Sequence, residues 1–190
     1  QGHSYHDGGA NAVQELACVI ATGAEYVREM LKRGIGIETI GPRMRFSLSV
    51  GSNFFMEVAK LRAVRVLWSQ VIESFGGTER AGRMHLHSRT SLFNKTLHDP
   101  FVNLLRSTTE AFSAVVGGTD GLHVAPYDES IRVPDSFSCR IARNTHLILG
   151  EECSLSQVTD PAGGSWYVEW LTDQVARKAW LEFQEIERGG

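Results

Sequence analysis

The hydrophobic pattern of this chain changes period several times, from strict alternation to a spacing near 3.6 and back. That switching is what most constrains its fold. Residues 43–50 alternate, with Met44, Phe46, Leu48 and Val50 on one side and Arg43, Arg45, Ser47 and Ser49 on the other. Successive side chains of a strand point to opposite faces, so this stretch predicts a strand with one apolar and one polar face. After Gly51-Ser52-Asn53 comes a helical stripe of Phe55, Val58, Ala59, Leu61, Leu67, Trp68, Val71 and Ile72, ended by Gly76-Gly77. Residues 84–88 alternate again, Met84 and Leu86 opposite His85 and His87. Asp99-Pro100 opens a helix with Pro at its first position, running to about Val116 and stopping at Gly117-Gly118. Residues 122–125 predict a third short strand, 138–151 another helix, and 171–188 a last helix ended by Gly189-Gly190. At the start, residues 2–6 read as a strand end and 11–31 as a helix rich in Ala, Val and Leu.

The order is therefore strand–helix four times (1–150), then a C-terminal helical extension (151–190). Such alternation predicts an α/β fold, a parallel sheet with helices outside it. Four units make the second or first half of a (β/α)8 TIM barrel, whose complete form takes about 250 residues. Periodicity alone leaves a small open α/β sheet as an equal reading.

Composition narrows the functional classes. A net charge of -3 over 190 residues gives no basic field for nucleic acid or a membrane surface. Cys18, Cys139 and Cys153 are scattered and form no CxxC pair, which fits a reducing cytoplasm rather than a disulfide scaffold. No apolar run is long enough to span a bilayer and no signal peptide opens the chain. The start at Gln1 rather than Met predicts an excised or processed segment.

Ligands of parallel α/β folds sit beyond the C-terminal ends of the strands. The predicted ends carry His3, Tyr5, His6 and Asp7; Arg45, Ser47, Ser49 and Asn53; His85, His87, Arg89, Thr90 and Ser91; and His123, Tyr127, Asp128 and Glu129. One histidine near a strand end is more often structural than catalytic, but five of the seven histidines fall in these groups. The pair His85-x-His87 shares a strand face, as a metal pair would, and a metal-dependent barrel hydrolase would use it. No carboxylate completes the set, and Arg83 and Arg89 flank it, which suits an anion or carbonyl better than a cation; no metal site is expected. Trp68, Trp180, Phe55 and Phe183 lie at helical spacing and read as core, and Glu185, Glu187 and Arg188 as a solvated helix end.

Several stretches together resemble the methylmalonyl-CoA mutase family. They are ANAVQELACVIATGAEY (10–26), NFFMEVAKLRAVRVLW (53–68), Gly117-Gly118-Thr119 with Leu122-His123, Asp128-Glu129, RIARN (140–144), DPAGGSWYVE (160–169) and the closing EIERGG. They run in the family's order over essentially the whole chain. The resemblance implies the second half of a substrate barrel from an adenosylcobalamin-dependent isomerase, which rearranges an acyl-CoA of the methylmalonyl-CoA/succinyl-CoA type by a radical mechanism. It implies that acyl-CoA threads the barrel axis and that adenosylcobalamin caps the C-terminal face. The family's Asp-x-His-x-x-Gly motif is absent, so the cobalamin-binding domain is expected elsewhere, as a fused domain or partner subunit. A homo- or hetero-oligomer is implied, and the isolated segment is expected to be inactive.

Residue by residue, the resemblance matches Glu129 to a glutamate on the adenosyl ribose, His87 to a histidine near corrin and substrate, and Arg43 to an arginine of the acyl-CoA channel. Arg89 stands where the family has a glutamine facing the corrin, and Ala125 where it has an asparagine beside the adenosyl group. Arg45 replaces a substrate-contacting serine, His85 an arginine near the CoA, and Asp120 a glutamine. The family's catalytic segment reads Gly-Tyr-His-x-x-Glu-Ala-Gly-Ala, and residues 2–10 here read GHSYHDGGA. A two-residue gap puts His6 at the catalytic histidine. Ungapped, Ser4 takes that place and Asp7 the glutamate, with His3 or His6 reaching in from beside it. His6 is the preferred candidate. These departures also motivate a non-catalytic structural subunit of a heteromeric mutase as the alternative.

Overall fold

The computed structural model describes residues 1–189; Gly190, half of the predicted closing glycine pair, lies outside them. The elements run α1 (His3–Asp7), α2 (Ala12–Lys32), α3 (Ile37–Ile40), β1 (Arg45–Val50), α4 (Phe54–Ser74), β2 (His85–Thr90), α5 (Val102–Val116), β3 (Gly121–His123), α6 (Ser136–Leu147) and α7 (Trp166–Gly189). A π-helical turn, Ile148–Glu152, continues α6. The strands form one parallel sheet in the order β1-β2-β3.

Helix α2 starts where its sequence provides a cap. The Asn11 side chain accepts from the Val13 and Gln14 N–H groups while the Gln14 side chain accepts from the Asn11 N–H. Asp135 and Ser138 build the same box at the start of α6. Helices α2, α4 and α7 pack on one another over the apolar face of β1 and β2. Phe46, Leu48, Val50 and Leu86 point into that layer against Trp68, Leu16 and Ile20, all buried. Phe46 meets Trp68 edge-on at 4.6 Å between ring centroids. A Cβ on Gly23 would stand 2.8 Å from Trp68 Cζ3, so the glycine is what lets α2 lie close to α4.

Four expectations are corrected. Residues 2–6 are not a strand. Gly2 keeps one strand-like tie, its N–H donating to Ser47 O at 2.7 Å, and the chain then coils into α1. Coiling lets the His3 ring reach two serines of β1, which a straight fourth strand would not. The described sheet thus has three strands rather than four. Phe55 is half exposed and Trp180 only partly buried, so the core aromatics of the predicted set are Trp68 and Phe183. Helix α7 begins five residues before its predicted start because its first turn carries exposed Trp166 and Tyr167, which break the apolar period there. Glu187, read as solvated, is ion-paired with Arg28 of α2.

Candidate functional site

The face of the sheet opposite the helices is polar throughout its two longer strands. Register sets Arg45 beside His85, Ser47 beside His87 and Ser49 beside Arg89, with Gly121 and His123 of β3 next in line. Arg45 and His85 are the first residues of their strands. They therefore lie at the N-terminal edge of the sheet, not at the C-terminal ends where the sequence placed them. Exposed Arg43 joins them there; its guanidinium donates to Thr39 O at 3.1 Å, and that of Arg45 to Pro42 O at 3.0 Å. Asp120 sits at the same edge. Its carboxylate accepts from Leu86 N–H at 2.8 Å and Arg65 at 3.0 Å, which ties the start of β3 to β2. Burial resists its ionisation, but those donors outweigh it and hold the carboxyl below its usual range.

At the C-terminal half of the face, histidines and serines interlock. His3 Nδ1 lies 3.0 Å from Ser49 Oγ and His3 Nε2 2.7 Å from Ser47 Oγ, which is 3.1 Å from His87 Nδ1. This Ser49–His3–Ser47–His87 chain crosses from α1 through β1 to β2. Burial, then the Arg89 charge, pushes His3 below the ordinary histidine value; burial and the neighbouring His123 and His85 do the same to His87. Both rings are therefore neutral near pH 7 and are hydrogen-bonding groups rather than cations. Beside them Arg89 donates to Glu129 Oε1 at 2.7 Å. Glu129 Oε2 and Arg89 Nε are buried without a partner. Asp7 is exposed at the end of α1.

His6 is held differently. Its Nε2 is 2.8 Å from Ser91 Oγ, just past the end of β2, and its Nδ1 is 3.7 Å from Glu15 Oε2. Glu15 is fully buried. It accepts from Ser49 N–H at 3.1 Å and from Lys60 Nζ at 2.8 Å. Lys60, also fully buried, donates as well to Ser49 O at 2.7 Å and is ion-paired with Glu57 at 2.6 Å. Burial works against both charges, yet their mutual attraction wins: Glu15 is held below the usual carboxyl range and Lys60 above the usual amine range. Removing one partner of such a buried pair costs about 3–5 kcal/mol. Gly2 is required here, since a Cβ on it would come within 2.6 Å of Glu15 Oε1.

Sequence reasoning named His3, His6, His87, Arg89, Glu129 and Ser91, and the structure gathers them at one end of the sheet. It missed Glu15, Lys60 and Glu57. The signal was present: Lys60 falls inside the apolar stripe of α4, between Ala59 and Leu61 and four residues before Val64. A charge at such a position must be paired. Among the described residues, no three His, Cys, Asp or Glu side chains gather as a metal site would require. No described helix is long and apolar enough to cross a membrane.

A parallel sheet whose one face is sealed by helices and whose other face presents histidine, serine and arginine defines an α/β protein with one polar sheet face. The comparisons make the class specific: the chain belongs to the methylmalonyl-CoA mutase family, whose profile matches residues 1–190. It is 47% identical to a methylmalonyl-CoA mutase small subunit of Streptomyces virginiae over 184 residues, covering 97% of this chain and 30% of that protein. It is 45% identical to a methylmalonyl-CoA mutase of Cereibacter sphaeroides over 190 residues, covering 100% and 27%. A probable methylmalonyl-CoA mutase large subunit of Mycobacterium tuberculosis is 43% identical over 191 residues, covering 100% and 26%. The chain thus spans between a quarter and a third of the length of these relatives.

Proposed function

We propose that this chain is the second half of the (β/α)8 substrate barrel of an adenosylcobalamin-dependent acyl-CoA mutase. Residues 1–150 supply its βα units and 151–190 a helical extension. The observation that carries the reading is the polar sheet face. The interior of an ordinary eight-stranded barrel is filled by layers of branched apolar side chains. The corresponding positions here are Arg45, Ser47, Ser49, His85, His87 and Arg89, which cannot pack dry without partners. They suit a solvated channel holding a long polar ligand.

The two ends of that channel fit the two ends of an acyl-CoA. A six-residue strand spans roughly 16 Å between its first and last residues. Arg43 and Arg45 at one edge form a cationic mouth for phosphates, with His85 beside them and Asp120 bracing the strands behind them. The histidines at the other end would face the thioester, His3 and His87 among them held below the ordinary histidine value by burial. His6 is the residue we assign as proton donor to the thioester carbonyl, with His3 beside it on α1.

Adenosylcobalamin fits the same end. The unpartnered, buried Glu129 Oε2 and Arg89 Nε are an acceptor and a donor without protein partners, matching a group that brings its own hydroxyls and amides. Glu129, Arg89, His87 and Asp7 would hold it, and when bound it supplies homolytic hydrogen abstraction from the substrate. The remaining contacts to the cofactor belong to a cobalamin-binding domain or subunit. A cytoplasmic setting is part of the reading, with Cys18, Cys139 and Cys153 as free thiols.

A second reading, a non-catalytic subunit of a heteromeric mutase, is favoured by one observation. Ungapped alignment puts exposed Ser4 where the family has its histidine. One assay separates the two: the full-length protein, reconstituted with its cobalamin domain, offered a panel of acyl-CoAs. The catalytic reading expects turnover with at least one acyl-CoA. It also expects His6→Ala to slow that turnover by roughly 10²-fold. No turnover with any substrate supports the second reading, and an unchanged rate in His6→Ala removes His6 from the reaction.

A further inference from the structure

The hydrogen bonds around His6 determine which of its nitrogens carries the proton. Ser91 Oγ already accepts the Phe93 N–H at 3.1 Å. Its own proton has one acceptor in reach, His6 Nε2 at 2.8 Å. On the other side of the ring, Nδ1 faces a carboxylate oxygen of Glu15, which can only accept. The Glu15 carboxylate favours the proton on Nδ1, and the Ser91 hydroxyl, whose own proton would otherwise lack an acceptor, favours the lone pair on Nε2. The other groups packed about the ring are Phe93, edge-on at 6.2 Å between centroids, and Glu57, whose Oε1 packs with the His6 ring against Gly51. Lys60, pairing with both Glu15 and Glu57, locks these carboxylates in place from α4.

We propose that Glu15, anchored by Lys60, is the positioning residue of His6: it holds the ring in the Nδ1–H form and confines proton exchange to Nε2, on the Ser91 side. The Glu15–Lys60 pair spans α2, β1 and α4 through Ser49, so the orientation of His6 is tied to the rigid sheet rather than to the five-residue helix that carries it. Its bearing on turnover rests on the reading of His6 as the proton donor to the thioester carbonyl: from the Nδ1–H form Nε2 takes up a proton and presents it, with Glu15 facing the resulting imidazolium.

The test uses the full-length protein with histidine labelled by 15N, observed near neutral pH, His6→Gln assigning the His6 signals. The expected result is an Nδ1–H tautomer for His6 in the unaltered protein, and a marked rise of the Nε2–H form in Glu15→Gln. An Nε2–H tautomer in the unaltered protein overturns the proposal without need of any variant, so it stays testable should Glu15→Gln not fold. An unchanged tautomer in a folded Glu15→Gln overturns it equally. In turnover, Glu15→Gln is expected to lower kcat about tenfold with KM little changed, and to cost nothing further in a His6→Ala background. Additive losses overturn the proposal. Full activity in His6→Ala instead sinks the catalytic reading of His6, while the tautomer measurement still decides the role of Glu15.

Discussion

Single residues at this site act through hydrogen bonds more than through charge. His3 and His87 are pushed below the ordinary histidine value of 6.5, and burial with the neighbouring His123 lowers His146 likewise. Above pH 6.5 folded and unfolded chains hold these rings alike, unprotonated. As pH falls through about 6.5 the unfolded chain takes up protons that the folded sites refuse, so stability is lost on the acid side. The thermal midpoint of the full-length protein should fall between about pH 7.5 and about pH 5.5, and the double variant His3→Gln/His87→Gln should flatten that step. A midpoint independent of pH over that range would contradict it. The histidines were legible in the sequence because alternation put them on one face. Lys60, inside the apolar stripe of α4, called for a partner, but naming Glu15 as that partner depends on α2 and α4 meeting across β1, a contact between residues 45 positions apart.

At the level of elements, the helices and strands with a clear period were readable, and those shaped by tertiary contacts were not. Strands β1 and β2 and helices α2 and α4 follow their patterns closely. Helix α1 was misread because its five residues are too few to show any period, and its shape follows from His3 reaching Ser47 and Ser49. Helix α7 matters more than its late position implies. It packs on both α2 and α4, burying Val175 and Ala179, while Arg62 of α4 grips Asp160 and Glu169 ahead of and within it. Ala179 is fully buried at that crossing. Ala179→Leu should overpack it and cost about 1–3 kcal/mol, read as a lower denaturation midpoint with an unchanged slope. No loss would mean that α7 is only loosely seated.

At the scale of the molecule, the described structure leaves much apolar and hydrogen-bonding surface open. Phe93, Leu97, Phe101 and Leu105 are all exposed beside β2 and α5, and β3 is an edge strand. Open edges and apolar patches of this kind recruit other chains. Residues 1–190 expressed alone should therefore self-associate at micromolar concentration, and a stable monomer in sedimentation would count against the half-barrel reading. The two-faced sheet has one more consequence. Cohesion resides in the layer where Phe46, Leu48 and Leu86 meet the helices, while in the proposed barrel contact with a ligand falls to the opposite face, whose edge residues Arg45 and His85 lie outside that layer. Wall and lining are separate, as in a pipe. Arg45 and His85, exposed at the edge of the polar face, can thus be exchanged without rebuilding the layer that encloses them.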